Sequence, residues 1–288
     1  MLTRNLLINL PKTVRKYSQK SPCDDVIFNY LQGSHEGITI LGLNRSEQKN
    51  AFSINLVNQL HHYIDKLKYE NRTKVAILRS TSPKIFCAGA DLKERAEMTP
   101  KQVSDFVTNL RSLMSKLQNI PVPVLAAIDG VALGGGLEIA LACDIRVASS
   151  DAKMGLVETK LAIIPGAGGT QRLPRIVGVS KAKELIFSSR VLNGNGAFGI
   201  GLVNHVVDQN ESGDGAYQKC LTIAEEIVPN GPLAIQMAKQ AINRGIEVDL
   251  YTGLAIEEAC YAQIIPTKDR LEGLRAFKEK RKPKYQGA

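Results

Sequence analysis

Short apolar runs alternate with helical segments through the first 150 residues, and this alternation restricts the fold more than any other feature. Val26–Tyr30 and residues 37–43 flank a Gly-Ser turn and read as a β-hairpin. Ser53 is a plausible N-cap for a helix with Leu56, Leu60, Ile64 and Leu67 on one stripe. Residues 74–79 form a short β-branched strand. Thr99-Pro100 then opens a helix whose stripe is Val103, Phe106, Leu110, Leu113, Met114 and Leu117. Strand Val124–Ile128 follows, then a glycine turn at 130–136, a short helix to Cys143 and a strand at 144–148. Strand and helix in alternation predict an α/β core. After Ser180 the pattern turns helical, at 180–188, 214–228, 232–244, 249–265 and 267–280. We expect a core over 24–220 and a helical oligomerisation region over 221–288. The late helices carry Leu250, Leu254, Tyr261, Ile264 and Leu274, an apolar surface that needs a partner.

Charge is unevenly placed. The net charge is +9, and Arg4, Lys12, Arg15, Lys16 and Lys20 precede the first acid, Asp24. Setting those five aside leaves a modest +4 on the rest. A basic, acid-free opening with Leu2, Leu6, Ile8 and Leu10 reads as a mitochondrial transit peptide over residues 1–23, and Arg15-Lys16-Tyr17-Ser18 resembles a processing site. The plain alternative is a disordered basic tail. The longest apolar runs, such as 122–128, are too short to span a bilayer. Five cysteines form no C-x-x-C pair, which suits a reducing compartment. Four histidines form no H-E-x-x-H, so no metal site is expected.

Two glycine-bearing turns run from strand to helix: Phe86-Cys87-Ala88-Gly89-Ala90-Asp91-Leu92, and Asp129 to Glu138 with Gly134-Gly135-Gly136 at its centre. Small residues at a helix start expose unpaired N–H groups, and two such groups converging on one oxygen make an oxyanion hole. Glycines also simply permit tight packing. Neither turn has the G-x-G-x-x-G spacing of a dinucleotide site, and Gly166-Ala167-Gly168-Gly169-Thr170-Gln171 ends on the wrong residue. Glu138 follows the glycines in the first turn of an apolar helix, and Glu158 precedes a second Pro-Gly-rich run. Either glutamate alone reads as a helix-start acid. Both together with both turns read as a catalytic pair. There is no G-x-S-x-G, and nothing ties Cys87 to a histidine, so a serine or cysteine hydrolase is not supported.

The stretch 86–173 resembles the crotonase, or enoyl-CoA hydratase/isomerase, family. The carrying motifs are Cys87 to Leu92, Ala132-Leu133-Gly134-Gly135-Gly136-Leu137-Glu138 and Ile164-Pro165-Gly166-Ala167-Gly168-Gly169-Thr170-Gln171-Arg172-Leu173, and the likeness runs from about residue 25 to the end. It implies a crotonase-like spiral of ββα units with a C-terminal helical layer that builds a homotrimer or homohexamer; residence in the mitochondrial matrix is expected from the basic opening. The resemblance also implies an oxyanion hole from the N–H groups of Ala88 and Gly135. Glu138 and Glu158 would act as acid and base, with Glu158 protonating C2. An acyl-CoA site would be lined by Ala88, Gly89, Ala90, Asp91, Leu92, Gly135 and Gly166, and Phe277 and Lys280 would reach a CoA, either this chain's own or one bound to a neighbouring subunit. No cofactor is implied beyond the CoA of the substrate.

Keeping both glutamates favours hydration of a short 2-enoyl-CoA over a Δ3,Δ2-enoyl-CoA isomerase, the second enzyme reading. A third reading is an AU-rich RNA-binding protein. RNA binding by one member of the family uses lysines at i, i+4 and i+8 on the first helix, where this chain has Ile54, Asn58 and His62. The comb of charge that would grip phosphates is missing.

Overall fold

Two sheets, each gaining a strand with every turn of the chain, organise residues 24–288, which the computed structural model describes. The basic opening and its expected targeting role lie outside the described residues. The chain enters as an antiparallel hairpin, β1 (Val26–Tyr30) and β2 (Ile38–Leu43). Helix α1 (Ile54–Tyr69) starts where Ser53 Oγ accepts the Leu56 N–H, and it buries the expected stripe. The next turn comprises β3 (Val75–Ser80), β4 (Lys84–Cys87), α2 (Leu92–Ala96) and α3 (Pro100–Gln118). Thr99 and Gln102 close a reciprocal capping box at the start of α3. A further turn brings β5 (Val124–Ile128), β6 (Gly130–Leu133) and α4 (Gly135–Leu141). The one after brings β7 (Ile145–Ser149), β8 (Lys153–Gly155), a 3₁₀ turn at Glu158–Leu161, α5 (Gly169–Val177) and α6 (Val179–Ser188). Then β9 (Leu192–Asn193), α7 (Gly194–Gly199) and β10 (His205–Val207) complete the sheets.

The first sheet has the order β1-β2-β3-β5-β7-β10 and the second β4-β6-β8-β9. Within each, strands of successive turns pair parallel, with antiparallel strands only at the β1 and β9 edges. One strand in each sheet followed by helix is the ββα spiral expected from the family resemblance. Central strands of parallel sheets are covered on both faces, and β5 is buried at every position.

Residues 130–133, read above as part of a turn, are strand β6. Turn-like composition misled because Gly130 serves contact between strands. A Cβ there would lie 2.0 Å from the Lys84 carbonyl carbon, so only glycine lets β6 run beside β4.

Four helices end the chain: α8 (Gly215–Ile227), α9 (Pro232–Gly245), α10 (Leu250–Ile264) and α11 (Lys268–Glu279). Helix α8 belongs to the core. Its Ala216, Cys220, Ile223 and Ala224 pack on Ile38, Ile77, Leu125 and Val147 of the first sheet. Asp129 fixes its start by accepting the Ala216 and Tyr217 N–H groups. The boundary expected after residue 220 therefore falls inside α8, and the outer layer begins at α9. There α9 and α10 pack together, leaving Leu250, Leu254, Tyr261 and Leu274 exposed.

Candidate active site

Glu138 projects from the first turn of α4, just past Gly134, whose φ of +53° sets the entry to the helix. The side chain is only 3% exposed. Its Oε1 accepts two backbone N–H groups, from Ala167 at 2.9 Å and Gly169 at 2.7 Å. Gly169 opens α5, so the carboxylate also sits at the positive end of that helix. The donating loop is held by Arg172, whose Nη1 reaches the Ala167 carbonyl at 3.1 Å while its Nε reaches Gln118. Burial pushes the Glu138 pKa up, and the two amides pull against that rise.

Glu158 begins the 3₁₀ turn after β8. Its Oε2 is buried and has no hydrogen-bond partner among the described residues. Burial and, after it, the charge of Glu138 push its pKa up to about 7. The two carboxylates therefore differ in kind. Glu138 is supplied with two donors from a neighbouring loop that favour its anion, while Glu158 has only its own backbone N–H against its burial and the Glu138 charge, and is shifted toward its acid form.

Both glutamates line one cleft of about 810 Å³. Its other walls include residues 88–90, Leu92, the 133–135 turn and the 163–168 loop, with Arg95 and Arg111 as its only cations among the described residues. Ala88, Gly89, Ala90, Leu92, Gly135 and Gly166, named from the sequence, all lie on the wall of this cleft.

The donors of the expected oxyanion hole need correction. The Ala88 N–H is committed to the Lys49 carbonyl at 3.0 Å. Ala90 is free instead. It faces Phe52 in an isolated parallel bridge, where Phe52 N–H donates to the Gly89 carbonyl and Asp91 N–H to the Phe52 carbonyl. In a parallel bridge the neighbours make the bonds, so the N–H of Ala90 points the other way. It has no acceptor among the described residues, and neither has the Gly135 N–H at the start of α4. The two segments nearly touch: a Cβ on Gly89 would lie 3.4 Å from the Gly135 nitrogen.

Asp91 is likewise not part of the lining. It caps α2 through the Lys93 and Glu94 N–H groups and binds Arg45 Nη1 at 2.8 Å, which turns it into a strut for the loop. Phe277, 87% exposed on α11, and Lys280 do not line the cleft of their own chain. Cys87 is buried against the Asn50 carbonyl, and burial drives its thiol up to about 12, so it is no nucleophile. No cluster of three or more His, Cys, Asp or Glu suited to a metal occurs among the described residues. Arg95 and Arg111 were missed by the sequence reading, which held no signal for them.

The chain belongs to the enoyl-CoA hydratase/isomerase family, whose model matches residues 33–288. Human mitochondrial methylglutaconyl-CoA hydratase is 59% identical over 278 residues, covering 96% of this chain and 82% of that protein. Mouse mitochondrial enoyl-CoA hydratase domain-containing protein 2 is 53% identical, covering 89% and 87%. Among solved structures, the enoyl-CoA hydratase of Bacillus anthracis superposes with a TM-score of 0.87 at 48% identity, over 92% of this chain and all of that one.

Proposed function

We propose that this chain adds water syn across the C2=C3 bond of 3-methylglutaconyl-CoA, giving 3-hydroxy-3-methylglutaryl-CoA, a hydration in leucine degradation. The observation that carries the reading is a pair of glutamates on one cleft, Glu138 held by two backbone donors and Glu158 with an orphaned oxygen, beside two unengaged backbone N–H groups. The substrate assignment is supported by the likeness to the human methylglutaconyl-CoA hydratase.

In this mechanism the thioester oxygen accepts the N–H groups of Ala90 and Gly135. Conjugation lets charge from the attacked alkene collect on that oxygen, where the fixed donors stabilise it as it grows. Glu138, ionised, takes a proton from water as the oxygen bonds to C3. Glu158, protonated, gives its proton to C2. Water is consumed whole, and a proton passing from Glu138 back to Glu158 resets the pair. The residues of the chain and the CoA thioester suffice for each step, with no further cofactor invoked.

Full-length protein given crotonyl-CoA, 3-methylcrotonyl-CoA, 3-methylglutaconyl-CoA and a 3-enoyl-CoA, with the conjugated thioester followed by absorbance, tests this. The highest kcat/KM is expected on 3-methylglutaconyl-CoA. Isomerisation of the 3-enoyl-CoA without hydration of any 2-enoyl-CoA would overturn it.

The exposed Leu250, Tyr251, Leu254 and Tyr261 support self-association through the helical layer, as a homotrimer or a dimer of trimers. Sedimentation is expected to give a mass of three or six chains, and a monomer at micromolar concentration would refute that. Mitochondrial relatives and the acid-free opening support a location in the mitochondrial matrix, which subcellular fractionation tests. No helix among the described residues is long and apolar enough to cross a membrane. On the exposed face of α1, Ile54, Asn58 and His62 give no lysine row, so nothing in the structure favours an RNA-binding reading.

A further inference from the structure

A cleft that holds the buried Glu138 carboxylate repels a second anion. A substrate whose acyl group ends in a free carboxylate brings one to within two bonds of C3, the carbon Glu138 and Glu158 must flank. Unless a cation meets it, such a substrate suffers like-charge repulsion and loses hydration on entering. The cleft has two candidates, Arg95 and Arg111.

They differ in what they already do. The Arg111 side chain is exposed, and its Nε donates to the Gly166 carbonyl at 3.2 Å, which ties it to the loop at the cleft wall. Arg95 ends the short helix α2, directly after the 88–91 turn that offers the free amide of Ala90. Its side chain is half-buried, and it has no hydrogen bond or ion pair to a side-chain or backbone acceptor among the described residues. The acids near it are engaged elsewhere: Glu94 accepts the Ile54 N–H, and Asp91 holds Arg45 and caps α2. A half-buried guanidinium with five donors and no acceptor is a group awaiting one. Its field reaches Glu158, whereas that of Arg111 reaches Glu138.

We propose that Arg95 is the specificity-determining residue of the cleft, pairing through its otherwise unengaged guanidinium with the distal carboxylate of a dicarboxylic 2-enoyl-CoA. The inference rests on the reading of the cleft as an enoyl-CoA hydratase site. A planar fork matches a carboxylate bidentately, so the pair would also fix the rotation of the acyl group over the two glutamates. An acyl chain without a carboxylate leaves the half-buried guanidinium unpaired. Sites built around a buried polar group discriminate strongly against substrates that cannot satisfy it.

The test compares wild type, Arg95→Gln, Arg95→Lys and Arg111→Gln on 3-methylglutaconyl-CoA and crotonyl-CoA, with kcat and KM measured for each. In Arg95→Gln the ratio of kcat/KM for the carboxylated over the plain substrate is expected to fall on the order of 10²-fold. Most of the loss is expected on the carboxylated substrate, and Arg95→Lys should recover part of the ratio. Arg111→Gln should affect both substrates alike. Equal losses on both substrates in Arg95→Gln would overturn the proposal, as would a shift of the ratio in Arg111→Gln instead. A wild type that hydrates crotonyl-CoA and ignores 3-methylglutaconyl-CoA would defeat the substrate reading itself, whatever the variants do.

Discussion

Glu158→Gln is expected to cut hydration turnover by ~10²–10⁴-fold, and Glu138→Gln by a comparable factor, with both variants folded. Each substitution keeps the shape of the side chain and removes its proton chemistry. In Glu138→Gln the amide oxygen can still accept the Ala167 and Gly169 N–H groups, so the loop keeps its anchor. In Glu158→Gln no structural bond of the orphaned oxygen is lost. Stability should even improve, in a definite pH window. Native Glu158 has a pKa of about 7 against an ordinary 4.5, so the folded state holds that proton more tightly than the unfolded chain does. Wild type then loses stability as pH rises from 4.5 to about 7 and is level beyond. The glutamine variant escapes that loss, so its advantage should be absent at low pH and full above 7. The same group sets the alkaline limb of wild-type kcat/KM, which should fall as pH rises through about 7, where Glu158 loses the proton meant for C2. Thermal melts and initial rates across pH 4 to 9 check all of this. A fully active Glu158→Gln, or one that is less stable than wild type at pH 8, would remove Glu158 from the mechanism.

What could be read before the structure was whatever short-range chemistry dictates. Ser53, and Thr99-Pro100 with Gln102 behind it, announce α1 and α3 because caps act within one helical turn. The glutamate pair was legible because each lies beside a recognisable turn, and both line the one cleft. The correct amide was not legible. Whether Ala88 or Ala90 keeps a free N–H depends on which residue faces Phe52, a pairing between segments 38 positions apart that no local pattern encodes. Strand β6 escaped for a related reason, since Gly130 is small for the sake of β4 rather than for a turn. Asp91 was expected in the substrate lining from its place in the family motif, yet its partner Arg45 comes from far upstream. Arg95 was invisible because an arginine on a short helix reads as a solvated charge until the fold shows a cleft beside it.

Gly136→Ala should damage fold and chemistry together. A methyl group there would lie 2.0 Å from the Cys87 carbonyl oxygen and 2.7 Å from its carbon, both backbone atoms that cannot swing aside. Helix α4 would have to move off β4, at an expected cost of about 3 kcal/mol or more. For a domain of this size that corresponds to roughly 6–12 °C in Tm. The damage should extend to chemistry, because the two elements being forced apart carry the two free amides. Gly135 immediately precedes the substituted residue, and Ala90 follows Cys87 by three positions. Separating two donors that must meet one oxygen should lower kcat/KM by on the order of 10²–10³, beyond whatever fraction of protein unfolds. Gly199 supplies the contrast. It ends α7, and a methyl group added there would meet nothing within 4 Å, so Gly199→Ala should leave Tm and rate near wild type. Differential scanning calorimetry and rates measured well below the melting transition separate the two effects. A Gly136→Ala protein that melts early yet turns over at the wild-type rate while folded would mean that the spacing of α4 and β4 does not set the geometry of the thioester oxygen. The case for paired amides at residues 90 and 135 would then lose its structural basis.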